Sequence, residues 1–356
     1  MAKSKLALGL DIGSSSVKLV QLKDSKRGFV LEAFGVSPLP PEAIVDGALM
    51  NNGAIVDAIK QLVGQFKLKN REVAIGVSGH SVIIKKISMP RMTREELEES
   101  IQWEAEQYIP FDVKDVNIDV QILSGEGGDA GTGQMDVLLV AAKKDMINDY
   151  TSVVAEAGLS PLVVDVDAFA VQNAFEINYD LPKGDTIVLV NAGASVVNIN
   201  VLAKGLTTFT RDVTMGGNQF TEEIQKQLNV SYDEAEKLKV GGDVQKDSDS
   251  VVPQEVERVI QGVADQLAGE IQRSLDFYSA TAADSHISKL YLSGGTAKIP
   301  ALFKVIEQRV GVPVEIMNPF KGIELDNRRF DSNYVMDIAP SAAVGVGLAL
   351  RRSNER

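Results

Sequence analysis

Gly9-Leu10-Asp11-Ile12-Gly13-Ser14-Ser15-Ser16-Val17-Lys18 decides the fold. Leu6 to Leu10 and Val17 to Leu22 alternate and carry β-branched residues, as paired strands do, and Gly13 to Ser16 supply the bend between them. The same layout returns about 180 residues later, a spacing far too long for a solenoid and suited to two duplicated lobes. There Thr186 to Val190 lead into Ala192-Gly193-Ala194-Ser195, and Val196 to Leu202 lead out. No gap is needed. Asp11 falls on Asn191, Gly13 on Gly193, Ser15 on Ser195, Val17 on Val197 and Leu22 on Leu202.

Each residue of the first turn has a use beside a phosphate. Gly13 lets backbone approach a ligand closely, and the hydroxyls and amides of Ser14, Ser15 and Ser16 suit phosphate oxygens. Lys18 offers a compact positive charge, and Asp11 is a hard oxygen ligand suited to hydrated magnesium. The turn is neither a Walker loop nor a Rossmann fingerprint, since both require a helix directly after the glycines. An ordinary hairpin with a serine-rich turn would read the same way on its own. Two such hairpins facing one another make a phosphate clamp.

Three later stretches extend the pattern. Ser293-Gly294-Gly295-Thr296 follows the strand residues Leu290 to Leu292 and precedes a helix near Pro300, a place where amides attract anions and paired glycines admit a flat base. Ser231-Tyr232-Asp233-Glu234 is a capping box opening a helix that carries Glu236 and Lys239 on one face, within reach of one ribose or purine. A solvated ion pair is the plainer account of those two. Met215-Gly216-Gly217-Asn218 stands before another helix.

Composition narrows the function. The chain has 356 residues, 44% hydrophobic and 24% charged, enough for several globular domains. A net charge of −13 without a long Lys/Arg cluster argues against nucleic acid. Absence of cysteine excludes disulfides and thiolate chemistry, and fits a reducing compartment. His80 and His286 are the two histidines, and neither is assigned a role. The apolar run Leu6 to Leu10 stops at Asp11, too short for a signal core, and Leu350 to Arg356 is polar rather than amphipathic. The expectation is a cytoplasmic protein with no direct membrane insertion.

A segment between the hairpins has its own grammar. Thr93-Arg94-Glu95-Glu96 is a capping box, continued by Leu97, Ile101, Ala105 and Tyr108 at helical spacing until Pro110. Val116, Ile118, Val120 and Ile122 alternate as a half-buried strand, Ser124 to Gln134 is a loop, and Asp136 to Val140 is another strand. A helix to about Gly158 and a strand Leu162 to Asp165 follow. Trp103, on the first of these helices, is expected to pack. A second loop spans Asp243 to Ser250, before a helix from about Pro253 to Ser279.

In this order the pieces resemble the actin, sugar kinase and heat-shock chaperone superfamily, and within it the FtsA branch. The resemblance implies an α/β protein of the actin-like ATPase fold, with two RNase H-like lobes and an FtsA-type inserted small subdomain. It makes Asp11, Gly13, Ser14, Ser15, Ser16 and Lys18 the phosphate-1 turn, and Asn191, Gly193, Ala194 and Ser195 phosphate-2. Gly294, Gly295 and Thr296 match the adenosine motif, Glu236 and Lys239 the purine-ribose helix, and Gly216 and Gly217 the glycine turn before it. Residues 164–175 and 339–350 match the connecting hinge helices. The implied divisions are 1–87 for the first lobe, 88–160 for the insert, 161–185 for the return, 186–338 for the second lobe and 339–356 for a helix and polar tail.

Within that branch the chain resembles the PilM family of type IV pilus assembly proteins, through Glu104 to Phe111 and Asn318-Pro319-Phe320. That similarity implies ATP and Mg2+ as cofactors, with Mg2+ held at Asp11 through water. Its implied partners are the N-terminal cytoplasmic tail of PilN, other inner-membrane platform proteins and motor ATPases. The tail is expected in a groove between the first lobe and the inserted subdomain, within roughly residues 80–125 and 160–170. One position departs: phosphate-2 usually holds an aspartate, and here it is Asn191. An amide carries no charge and cannot serve as a base, so slow hydrolysis is expected, and Asn191→Asp is expected to raise it. The alternatives are a small-molecule kinase, for which no base carboxylate stands out, and an FtsA- or MreB-like filament former.

Overall fold

The computed structural model describes residues 5–123, 133–180, 184–241, 254–282 and 286–352. Ser124–Thr132 of the expected first loop, the expected loop Asp243–Ser250, Pro253 and the last four residues lie outside them.

The chain begins with an antiparallel meander of β1 (Leu8–Ile12), β2 (Ser16–Ser25) and β3 (Gly28–Pro38). A short ribbon, β4 (Ile44–Val45) and β5 (Ala48–Leu49), leads to α1 (Asn52–Phe66). Asn51 caps this helix by accepting from the Ala54 amide at 3.0 Å. Ile55, Ile59 and Leu62, at helical spacing, bury against the sheet face formed by Leu8, Leu10, Val17 and Leu19. β6 (Glu72–Val77) then runs parallel to β1.

The chain leaves the lobe after β6 through a turn at Gly79, where φ is +87° and a side chain would be strained. β7 (Val82–Pro90), α2 (Arg94–Ala105), β8 (Val116–Ile122) and β9 (Gln134–Lys143) make a separate unit whose sheet has the order β7-β9-β8. Thr93 and Glu96 form both bonds of the capping box, and Leu97, Ile101 and Ala105 bury over Ile87, Val137 and Leu139. Trp103 does not pack. It lies two residues beyond Ile101, on the opposite side of the helix from that apolar stripe, and is 76% exposed.

Next, α3 (Lys144–Glu156) puts Tyr150, Val153 and Val154 into the core of the first lobe, and β10 (Ser160–Val166) pairs with β6. The three-stranded unit thus spans Val82–Lys143, starting earlier and ending earlier than the expected 88–160. α4 (Asp167–Glu176) crosses to the second lobe.

That lobe repeats the first. β11 (Thr186–Ala192), β12 (Val197–Ala203) and β13 (Leu206–Val213) form a meander, followed by α5 (Gly217–Leu228), α6 (Tyr232–Lys239) and α7 (Gln254–Thr281). β14 (Ile287–Ser293) lies parallel to β11, and α8 (Pro300–Val310) leads to β15 (Val314–Ile316). β16 (Ile323–Glu324) returns to pair with β3, before α9 (Ser332–Ile338) and α10 (Ala343–Leu348). The sheet orders are β10-β6-β1-β2-β3-β16 and β13-β12-β11-β14-β15. Without β16, they are the same sheet built twice. Between them α4 and α10 cross so closely that a Cβ on Gly347 would stand 1.7 Å from the Ala170 carbonyl oxygen.

Candidate functional site

The two hairpins close their turns with the same hydrogen bond. The Gly13 amide donates to the Ser16 carbonyl at 3.2 Å, and the Gly193 amide to the Val196 carbonyl at 2.9 Å. Both turns open onto one cleft between the lobes, enclosing roughly 1150 Å³. Asp11, Gly13, Ser14, Ser15, Ser16 and Lys18 line it from one side; Asn191, Gly193, Ala194, Ser195, Gly217, Glu236, Lys239, Gly294, Gly295 and Thr296 line it from the other. Gly216 alone of the expected residues is not on the lining. It stands behind the turn, where a Cβ would meet the carbonyl oxygens of Gly193 and Ala194 at 2.5 and 2.6 Å.

The second turn is held from below. The Gly217 and Asn218 amides donate to the Gly193 and Ala194 carbonyls at 3.0 and 2.8 Å, and Thr296 Oγ1 donates to the Gly193 carbonyl at 2.7 Å. These bonds use the carbonyls of the turn. Its Gly294 neighbour needs φ +88°, and a Cβ there would fall 2.2 Å from the Ala192 oxygen. Glu236 and Lys239 bind each other, and Lys239 also donates to Thr221 Oγ1 at 2.9 Å. Only 12% of the Lys239 side chain is exposed, so this is a sheltered pair joining α6 to α5 rather than a solvated one.

Charge in the first lobe is arranged for a ligand with both signs. Lys18 Nζ lies 3.0 Å from Asp11 Oδ2, with both side chains largely buried. Asp11 would be the group to hold a hydrated cation, and Lys18 the one to meet phosphates, in a Mg2+–phosphate ligand. Positions for ligand backbone contact exist as well: the nearest atom to a Cβ on Gly13 would be 3.4 Å away, and on Gly295 4.0 Å away. Among the described residues no cluster of three acids or histidines could cage a metal alone. Magnesium fits such a site when phosphates and water complete its shell. The donor set therefore fits a magnesium nucleotide.

Asp167, at the first turn of α4, lines the cleft and is not among the residues the sequence points to. Asp167 is half-buried by its surface, yet desolvation by the cleft walls around it, reinforced by the negative charge of Asp11, pushes its carboxyl up to about 7, against the pull of a hydrogen bond from Ser78. The same surroundings raise the Tyr150 hydroxyl well above its ordinary range. His80, given no role above, also lines the cleft, as do Tyr232 and Tyr334, whereas His286 is exposed away from it. The signal for Asp167 is an acid directly at a strand-to-helix junction, a place that also suits a helix dipole.

A polar row crosses the second sheet at the mouth of the cleft. Ser293, Asn191, Asn198 and Asp212 are successive register partners on β14, β11, β12 and β13. Asn191 Nδ2 donates to Asn198 Oδ1 at 3.0 Å, and Asn198 Nδ2 donates to Asp212 Oδ1 at 2.8 Å. Asp212 Oδ2 accepts from the Gly79 amide of the first lobe at 2.6 Å. Asp212 keeps an exposed surface at the rim of the sheet, yet the protein packed around its carboxyl raises it, while these two donors hold it down. In the first hairpin the equivalent of Asn198 is Lys18, which faces Asp11 in the same register.

The sequence matches the family described as Type IV pilus assembly protein PilM over residues 9–353. The chain belongs to the PilM family. Its fold covers 98% of this chain and 99% of the solved chain in a "PilM-PilN type IV pilus biogenesis complex", at a TM-score of 0.86 and 29% identity. More distant likeness reaches MreB 5 of Spiroplasma citri, with a TM-score of 0.51 and 12% identity over 97% of this chain and 95% of that one. Among curated proteins, cell division protein FtsA of Neisseria meningitidis is 22% identical over 87% of this chain and 75% of its own length. FtsA of Bacillus subtilis is 23% identical over 67% of this chain, which spans 58% of that protein. This PilM-family chain thus has the actin-like ATPase fold, a nucleotide-binding architecture. Among the described residues no helix is long and apolar enough to cross a membrane.

Proposed function

We propose that this chain is a nucleotide-loaded adaptor of a type IV pilus inner-membrane platform. It holds ATP with Mg2+ between the lobes and docks the N-terminal cytoplasmic tail of PilN on its inserted unit. The observation that carries this reading is the likeness to the PilM–PilN complex along the whole chain. Asp11 would receive the hydrated cation, Lys18 the terminal phosphates, and the two glycine turns the phosphate oxygens. Bound magnesium supplies charge neutralisation at those phosphates. The docking region has a candidate groove of roughly 700 Å³ along α2 and β8, reaching Lys144 and edged by Ile101, Trp103, Ile118 and Val120. β8 is an edge strand, so its outer backbone groups are available to an added strand. Held by such a tail, the protein would sit in the cytoplasm against the inner membrane and present its outer surfaces to motor ATPases.

Hydrolysis is slow in this reading because Asn191 brings no charge to the phosphates. Turnover at ordinary kinase rates of roughly 1–100 s⁻¹ would contradict it. The test is calorimetric titration of the full chain with a synthetic PilN tail, with and without Mg-ATP. Binding of the tail and of Mg-ATP, each lost in its own site variant, is expected; absence of any heat with the tail sinks the adaptor. The kinase reading gains one thing from the cleft, since Asp167 supplies a carboxylate of suitable pKa for a base. ATP consumption that depends on an added small hydroxyl compound would favour it. Sedimentation of the protein with ATP would favour a filament.

A further inference from the structure

The row from Ser293 to Asp212 has a direction, and the chemistry of its two ends sets it. The Gly79 amide can only donate, and an ionised carboxylate can only accept. Asp212 therefore takes the amide of Asn198, which must turn its oxygen to Asn191, which must answer with its own nitrogen. On the other side of Asn191 its Oδ1 accepts from the buried Ser293 hydroxyl at 3.5 Å, a long bond from a donor shared with the Val190 carbonyl, which leaves acceptor capacity on a residue that lines the cleft. An acceptor there suits the water shell of a cation and repels a phosphate oxygen.

We propose that Asp212 is a positioning residue: through Asn198 it turns the oxygen of Asn191 toward a cation-bound water, and its bond to Gly79 ties that setting to the closed arrangement of the lobes. The carboxylate absent from position 191 is thus found two strands away, acting through an amide. The inference rests on the cleft taking a magnesium nucleotide, and it changes what Asn191→Asp should do. With acids at both ends, Asn198 has one NH2 group for two carboxylates, and its oxygen must face one of them. The exchange Asn191→Asp with Asp212→Asn satisfies every member again in the reverse direction. The amide introduced on β13 would then give its nitrogen to Asn198 and its oxygen to Gly79.

The test uses the full chain and four proteins: wild type, N191D, D212N and the double variant. Melting without nucleotide is expected to drop by about 2–4 °C in N191D and to recover in the double variant. Dissociation constants for ATP are then compared with Mg2+ and with EDTA. The ratio of the EDTA constant to the Mg2+ constant should fall at least threefold in D212N, where Asn198 is free to reverse, and return in the double variant. A merely structural Asp212 would alter both constants together and leave the ratio alone. N191D as stable as wild type, or a double variant no better than N191D, overturns the relay. Should D212N fail to fold, the double variant still decides by its melting temperature and its ratio. Wild type that ignores Mg-ATP sinks the nucleotide reading instead, and the melting series then judges the row by itself.

Discussion

Asp167 is the cleft acid whose protonation folding shifts most plainly. Its carboxyl sits against Gly76, where a Cβ would come within 2.2 Å of Oδ1, and Lys18 is paired with Asp11 instead. The carboxyl's ordinary value is 3.8 and its folded value about 7, so folding favours the protonated form. Its contribution to stability is therefore complete below about pH 4 and is lost as pH rises through about 7. Asp167→Asn lacks that loss. In nucleotide-free buffers the variant should melt higher than wild type at pH 8, with the gap closing toward pH 4, as read by scanning fluorimetry. A gap independent of pH would remove the assigned titration. On the kinase reading, ATP consumption should also rise through about pH 7 and drop roughly 100-fold in the variant, the scale of a lost general base. That Asp11, Gly13, Ser14 to Ser16 and Lys18 gather around one turn is legible in the sequence, because turn chemistry is local. Asp167 is not, since its meaning comes from Gly76 and Asp11, each distant along the chain.

At the level of elements, glycine shows how far packing outruns propensity. Gly64 lies inside α1, and apart from that helix's own backbone no atom comes within 4 Å of where a Cβ would stand. Gly347 lies inside α10 with the Ala170 carbonyl oxygen at 1.7 Å from the same point. One change should therefore act in opposite directions. Gly64→Ala is expected to stabilise by about 0.5–1 kcal/mol, through helix propensity and a less flexible unfolded chain. Gly347→Ala should destabilise by about 1–3 kcal/mol or more, because α4 and α10 must move apart. Chemical denaturation of the two variants checks both signs; equal shifts would show that the hinge helices tolerate separation. The duplicated hairpins and the Thr93 capping box are readable from period and spacing. The limits of the inserted unit are not, because periodicity marks α3 as a helix without saying whose core Tyr150 and Val153 enter, and β7 continues the chain of β6 through a single turn. Trp103 fails for a related reason: an aromatic two residues past Ile101 reads as apolar, yet the helix carries it outward.

The function proposed above gives the whole molecule two separate binding surfaces, one between the lobes and one on the insert, with an internal reporter for the second. Its single tryptophan is Trp103, at the groove along α2 and β8 and 76% exposed. Mg-ATP in the cleft should stabilise the fold by mass action, by about 2.7 kcal/mol at a hundredfold excess over its Kd, read as a higher melting temperature. Lys18→Ala should lose most of that gain, since the cation facing the phosphates is removed. Trp103 emission should barely respond to nucleotide alone, because none of the cleft-lining residues lies on α2. A PilN tail seated in the groove has the opposite signature. It should cover the indole, move its emission to the blue and reduce acrylamide quenching, and Trp103→Ala should weaken the tail's affinity by about tenfold or more, the loss typical of an interface anchor. The two titrations share one sample and differ in readout, so neither can stand in for the other. A tail that binds tightly while Trp103 keeps its wavelength and its quencher access has docked elsewhere, and the edge of β8 would then be without an occupant.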